Sequence, residues 1–85
     1  MVHVLKTWDV FMADIASGKK TFEVRRNDRN YEHGDILILQ GFDMESKKYT
    51  GKSIKAEITY MLIGGIFGID TDYCVMSIKV RNYNF

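Results

Sequence analysis

The chain of 85 residues is 46% hydrophobic and 27% charged, which is the composition of a globular domain and not of a disordered chain. We expect a single domain over residues 1–85, because this length has room for one hydrophobic core only. Twelve Lys and Arg residues nearly balance eleven Asp and Glu residues, giving a net charge of +1. Any binding of a polyanion therefore requires a local basic cluster.

Cysteine content and hydropathy narrow the class of protein further. Cys74 is the only cysteine, so no disulfide framework is expected, and its apolar neighbours predict a buried, inert thiol. No apolar run approaches the ~20 residues of a membrane span, and residues 1–6 lack the layout of a signal peptide. We therefore expect a cytoplasmic protein that does not associate with membranes.

The first predicted elements are a strand and a helix. Residues His3 to Lys6 favour a short strand, and Thr7 or Asp9 is a suitable N-cap for the helix that we predict from Trp8 to Ser17. The apolar side chains of this helix recur at intervals of three and four residues, which predicts one stripe facing the core. They are Trp8, Phe11, Met12 and Ile15.

The remainder of the chain has strand and turn patterns. Alternation or short apolar runs predict strands at residues 21–26, 36–39, 53–61 and 73–81. Many short strands with a single helix indicate a mainly β, α+β fold. We expect a small β-barrel with the helix packed across it.

The segment from Gly18 to Arg25 carries the most chemistry. Gly18 follows the helix pattern, at a position where glycine takes a left-handed conformation without steric penalty. Alternation then places Phe22 on one face of a strand and Glu23 and Arg25 on the other, with Lys20 in the turn before them. Phe22 and Phe11 are both expected to fill the space between helix and barrel. The face that carries Glu23 and Arg25 is equally consistent with ordinary solvated charges on a half-buried strand.

Metal and cofactor sites are not predicted. His3, His33 and Cys74 are isolated in the sequence and form no recognised ligand spacing. We therefore expect neither a bound metal nor a cofactor.

Basic and polar residues cluster after the helix. The five cations of this cluster lie within eleven residues, and they are Lys19, Lys20, Arg25, Arg26 and Arg29. Asn27 and Asp28 lie between them, which suits a ligand that presents phosphate to the cations and hydrogen-bonding edges to the amide and carboxylate. Tyr73 is a candidate stacking surface, as are Tyr31 and Tyr49.

Four of these residues match a known motif. Gly18, Lys20, Glu23 and Arg25 stand in the G-x-K-x-x-E-x-R pattern of the ASCH superfamily, which has the PUA-like fold, and the chain resembles that superfamily. Four ordered blocks resemble a small bacterial and phage branch described only as a domain of unknown function. These blocks are residues 17–29, 33–37, 49–52 and 72–77.

The resemblance implies a barrel of five or six strands, a helix between strands 1 and 2, and a cleft beside that helix. ASCH domains are proposed to bind RNA or nucleotides there. A hydrolase group of similar fold deacylates acetylated cytidine with a Lys and, three residues later, a Thr nucleophile. Here Lys20 matches the lysine, but Glu23 stands in place of the threonine, and a carboxylate beside two cations favours an ion pair.

Three functions remain open from the sequence. The leading hypothesis is an RNA- or nucleotide-binding module, in which Lys20, Arg25 and Arg29 contact phosphate while Glu23, Asn27, Asp28 and Tyr73 contact the base or ribose. The second is a small amidohydrolase acting on acylated nucleosides, with Lys20 as base and Thr21 or Glu23 as further catalytic candidates. The third is a structural or protein-interaction module. The oligomeric state does not follow from the sequence.

Overall fold

The computed structural model describes all residues, 1–85, and contains five strands and one short helical segment. The helical segment is a 3₁₀ turn, Asp9–Phe11, followed by α1, Met12–Ala16. The strands are β1, Val2–Trp8; β2, Phe22–Arg26; β3, Ile36–Asp43; β4, Lys48–Ile63; and β5, Tyr73–Asn84. The predicted mainly β fold, with its helix between the first two strands, is therefore confirmed.

All five strands form one sheet in the order β1-β3-β4-β5-β2. β1 pairs with β3 in parallel, and every other neighbouring pair is antiparallel. Register shifts occur within the β3–β4 and β4–β5 pairs, and such bulges bend a strand and increase its twist. The sheet is curled into a half-barrel whose two edges, β1 and β2, approach each other.

Arginine side chains bridge these two edges in place of backbone pairing. The Arg25 guanidinium of β2 donates to the carbonyl oxygen of Lys6 in β1 at 2.9 Å. Arg29, just beyond β2, donates to the carbonyl oxygen of Val4 at 3.2 Å. These bonds satisfy carbonyl groups that an edge strand leaves unpaired. We call the line between β1 and β2 the seam.

The core lies inside the curl, with α1 packed against it. It consists of twelve buried side chains, namely Leu5, Met12, Ile15, Tyr31, Leu37, Leu39, Ile54, Ala56, Ile58, Cys74, Met76 and Ile78. The predicted burial of Cys74 is confirmed, and burial raises the pKa of its thiol. Neither the 3₁₀ turn nor α1 has the length and apolar character needed to cross a bilayer.

The predicted helix from Trp8 to Ser17 is wrong at its start. β1 continues to Trp8, and the helix proper spans only Met12 to Ala16, without a side-chain N-cap from Thr7 or Asp9. Met12 and Ile15 are buried as predicted, whereas Trp8 and Phe11 are exposed. The aromatic half of the predicted stripe therefore does not belong to the core.

Strand β2 has the predicted alternation with the opposite burial. Glu23 is 4% exposed and faces the inside of the curl, whereas Phe22 is 47% exposed. Phe22 is consequently not a core residue, and the carboxylate does not lie on a solvated face. The carboxylate is tolerated on the inward face because Lys20 and Arg25 both pair with it.

A buried polar network ties the start of β1 to the start of β3. Asp35 accepts hydrogen bonds from His3 Nε2 at 2.8 Å, from the Met1 amino group at 2.9 Å and from the Glu32 backbone N–H at 3.1 Å. The hydrogen bond from His3 is the main reason that the pKa of Asp35 falls from 3.8 to about 2. Tyr31 packs edge-on against the His3 ring, and burial raises the pKa of its hydroxyl.

Gly18 ends α1 in the predicted left-handed conformation, with φ of 82°. A Cβ at this position would meet nothing within 4 Å, so the cost of a substitution is that of the backbone conformation alone. We expect Gly18→Val to lower the free energy of unfolding by more than ~1 kcal/mol, because a β-branched residue resists positive φ. Gly18→Asn is the matched control and should cost less, since Asn tolerates this region. Equal losses in chemical denaturation would contradict this explanation.

Candidate functional site

A cleft of about 410 Å³ opens at the end of the seam where the carboxyl-terminal end of β1 lies beside β2. Residues from the end of β1, the 3₁₀ turn, the turn before β2 and β2 itself surround it. They are Lys6, Thr7, Trp8, Phe11, Lys20, Phe22, Glu23, Val24 and Arg25. Three of the four motif residues, Lys20, Glu23 and Arg25, therefore lie at one cleft, while Gly18 shapes the turn that leads to it.

The buried Glu23 carboxylate lies between the two cations of the motif. Its Oε2 accepts a hydrogen bond from Lys20 Nζ at 2.9 Å, and its Oε1 accepts from Arg25 Nε at 3.0 Å and Nη2 at 2.8 Å. Such charge-assisted bonds fix the geometry of all three side chains. One carboxylate between two cations leaves a net charge of +1. We call these three residues the ion cluster.

Backbone and hydroxyl groups complete the ion cluster. Lys20 Nζ also donates to the carbonyl oxygen of Phe22 at 2.8 Å, and Arg25 Nη2 donates to Thr7 Oγ1 at 3.0 Å. The Lys20 and Arg25 side chains are only 18% and 21% exposed. The ion cluster is thus a preorganised polar floor, and Arg25 joins it to β1 across the seam.

Exposed aromatic rings form the walls of the cleft. The rings of Trp8 and Phe11 are nearly parallel, 8° apart in plane angle, with centroids 6.0 Å from each other. Lys20 Nζ lies 4.6 Å from the centroid of Phe22 and 5.2 Å from that of Phe11, within the range of cation–π attraction. Val24 adds an exposed aliphatic surface. Aromatic walls above a polar floor suit a planar ligand that stacks on the rings and bonds through one edge.

The other predicted site residues do not line this cleft. Thr21 lines a separate hollow behind α1, beside Ile78. Arg29 lies further along the seam, at Val4. Two more, Asn27 and Asp28, are exposed in the segment after β2, where the Asn27 backbone N–H donates to Asp72.

The tyrosines proposed for stacking also lie elsewhere. Tyr73 is partly covered by Arg26, whose guanidinium carbon is 5.3 Å from its ring centroid. Tyr31 is buried, and Tyr49 packs edge-on against Phe42. None of the three borders the cleft.

Sequence reasoning missed the β1 side of the cleft. Lys6 and Thr7 line the cleft without being predicted site residues, and Trp8 and Phe11 line it although both are predicted core residues. The alternation of β1 carries a usable signal, since continuing the strand two residues further places Thr7 inward and Lys6 and Trp8 outward. Arg25 contacts Lys6 and Thr7, which lie 19 and 18 positions earlier in the chain. These contacts depend on the curl of the sheet, so no local sequence pattern predicts them.

No three His, Cys, Asp or Glu side chains converge in a way that would hold a metal ion. The ion cluster contains one carboxylate, and that carboxylate already accepts three hydrogen bonds from cations. The groups of the ion cluster that are suited to bond to a further acceptor are the N–H groups of Lys20 and Arg25, because the carboxylate oxygens are already occupied.

The fold is a small half-barrel with a cleft between its two edge strands. The chain belongs to the family described as Domain of unknown function (DUF3850), whose model matches residues 2–78. It is also 38% identical over 58 residues to a protein of Escherichia phage P2 named "Uncharacterized 12.9 kDa protein in GpA 3'region". The match covers 68% of this chain and 51% of the phage protein, so the chain spans about half the length of that relative.

Proposed function

We propose that the protein is a binding module for RNA or a nucleotide and that the ligand enters the cleft between β1 and β2. The observation that carries the proposal is the combination of the exposed Trp8, Phe11 and Phe22 rings with the fixed ion cluster beneath them. Stacking on aromatic rings is how proteins hold single bases, and it is worth ~1–3 kcal/mol per base. The polar floor supplies directional contacts to the same ligand.

The size of the cleft limits the ligand. A volume of about 410 Å³ is at the lower end of the ~300–1,000 Å³ typical of small-molecule sites. It suits one nucleoside or nucleotide, or one unstacked residue of a single strand. With a net charge of +1, the protein neutralises few phosphates, so a long duplex is a poor candidate.

Membership of the ASCH superfamily, with its PUA-like fold, is part of this proposal. The half-barrel, the helical segment between strands 1 and 2 and the clustering of Lys20, Glu23 and Arg25 at one cleft support it. The sheet has five strands, which agrees with the smaller strand number expected for such a barrel.

The geometry gives less support to the alternative of an amidohydrolase. Glu23 is held by three hydrogen bonds to cations, and Thr21 lies outside the cleft. The hydroxyl that does border the cleft, that of Thr7, is bonded to Arg25 and to no general base. Binding without turnover is therefore the function that we favour.

Calorimetric titration with a short single-stranded oligoribonucleotide tests the proposal. We expect saturable binding that Trp8→Ala weakens by about tenfold or more, because a stacking ring is removed. Tyr83→Ala is the matched control, since Tyr83 is 55% exposed, close to the 52% of Trp8, and does not border the cleft. Equal effects of the two substitutions, or no binding by the wild type, would contradict the proposal.

A further inference from the structure

The hydrogen bonds of the cleft floor leave donors and hardly any acceptors for a ligand. An Arg side chain has five N–H donors, and Arg25 uses four of them on Glu23, Thr7 and Lys6. A Lys side chain has three donors, and Lys20 uses two of them on Glu23 and Phe22. One N–H of each cation therefore remains for a ligand.

Thr7 and Glu23 complete this pattern. The Thr7 hydroxyl accepts from Arg25 and makes no bond as a donor, so its own proton is a third free donor. The Glu23 carboxylate is 5% exposed and already bonded at both oxygens. The floor is thus complementary to a ligand edge that presents acceptors, and it disfavours an amino group.

Resting on the proposed function, we infer that the cleft selects a carbonyl-bearing nucleobase, whose carbonyl oxygen bonds to Lys20 and Arg25, over adenine. Guanine, hypoxanthine, uracil and cytosine carry such an oxygen on the base. Adenine has no carbonyl oxygen, and its acceptors are ring nitrogens. Where its 6-amino group faces the free N–H groups of the floor, donors meet donors and neither side is paired. The base stacks on the ring of Trp8, Phe11 or Phe22.

Phosphate is the competing acceptor-only ligand, and the surroundings of the floor favour the base. Each cation is already bonded to Glu23, and Lys20 also lies over two aromatic rings. A doubly charged phosphate would have to give up its bound water to enter between the aromatic walls. In return it would gain only one free N–H from each cation, so its desolvation would not be offset. A neutral carbonyl loses less.

Inosine and adenosine are a matched pair of probes, because they differ only at the N1–C6 edge: inosine has a carbonyl oxygen at position 6 and an N1–H, whereas adenosine has an amino group and an unprotonated N1. We expect the wild type to bind inosine about tenfold or more tightly than adenosine in NMR or calorimetric titration. Ribose 5-phosphate should show no saturable binding at the same concentrations. Equal affinities for the two nucleosides, or ribose 5-phosphate binding as tightly as inosine, would overturn the inference.

A substitution locates the preference in the floor. Lys20→Met keeps the length of the side chain and removes its donors, so the ratio of inosine to adenosine affinity should fall toward one. Lys19→Met is the control and should leave the ratio unchanged, since Lys19 is exposed and does not border the cleft. A ratio that Lys20→Met leaves unaltered would overturn the assignment of the carbonyl contact.

RNA binding without discrimination between the nucleosides would refute this inference alone, whereas no binding of RNA or nucleoside would refute the proposed function as well.

Discussion

Replacing Glu23 by Ala is expected to lower the free energy of unfolding by about 3 kcal/mol. The substitution removes the carboxylate that pairs with Lys20 and Arg25 and leaves two largely covered cations without a counter-charge. Breaking a buried ion pair on one side typically costs ~3–5 kcal/mol. We expect a cost at the lower end of this range because Lys20 and Arg25 are partly exposed, so water can solvate them once the carboxylate is removed.

Glu57→Ala is the control for this effect. Glu57 pairs with Arg81 on the outer surface of the β4–β5 strand pair, where the Arg81 side chain is 45% exposed and the Glu57 side chain 29% exposed, more than any member of the ion cluster. Exposed ion pairs contribute ~0–1 kcal/mol, so this substitution should change the midpoint of urea denaturation little. Similar losses for Glu23→Ala and Glu57→Ala would contradict the view that the ion cluster is a fixed structural floor.

The second large effect concerns pH and Asp35. Its folded pKa of about 2 lies below the ordinary value of 3.8, so the unfolded chain binds a proton more readily than the folded chain between these values. The stabilisation is therefore complete above about pH 4 and is lost as pH falls toward 2. From the size of the shift it amounts to roughly 2 kcal/mol at neutral pH.

Asp35→Asn should remove this stabilisation and flatten the dependence of stability on pH between 4 and 2. The neighbouring Glu32→Gln is the control, since the Glu32 side chain is exposed, and it should keep the wild-type profile. Denaturation of the three proteins over this pH range provides the measurement. A wild-type slope that survives in Asp35→Asn would show that other carboxylates cause it.

The sequence predicts the strands of this fold better than its short helix. The alternation over residues 53–61 predicts a strand, and in β4 Ile54, Ala56 and Ile58 lie on its buried face, whereas Tyr60 is exposed beyond a register shift. The helix prediction failed because Trp8 and Phe11 are three residues apart. This spacing occurs on the buried face of a helix, and it occurs equally where one aromatic residue ends a strand and another lies in the turn after it. Composition does not distinguish an aromatic wall from an aromatic core.

The motif side of the site was predictable, and the β1 side was not. Lys20, Glu23 and Arg25 are close in sequence, so alternation alone places the last two on one face. Thr7 joins them only through the curl of the sheet, which depends on bulges between β3, β4 and β5. The burial of Glu23 was also hidden, because a carboxylate on a strand is usually solvated and this one is covered by two cations.

The fluorescence of Trp8 tests the central claim most directly. Trp8 is the only tryptophan of the chain and half of its surface is exposed at the cleft, so its emission reports on this site alone. We predict saturable quenching when a single-stranded oligoribonucleotide or inosine is added, with the same dissociation constant that calorimetry gives. Binding measured by calorimetry without a change in Trp8 emission would place the ligand elsewhere and contradict the account.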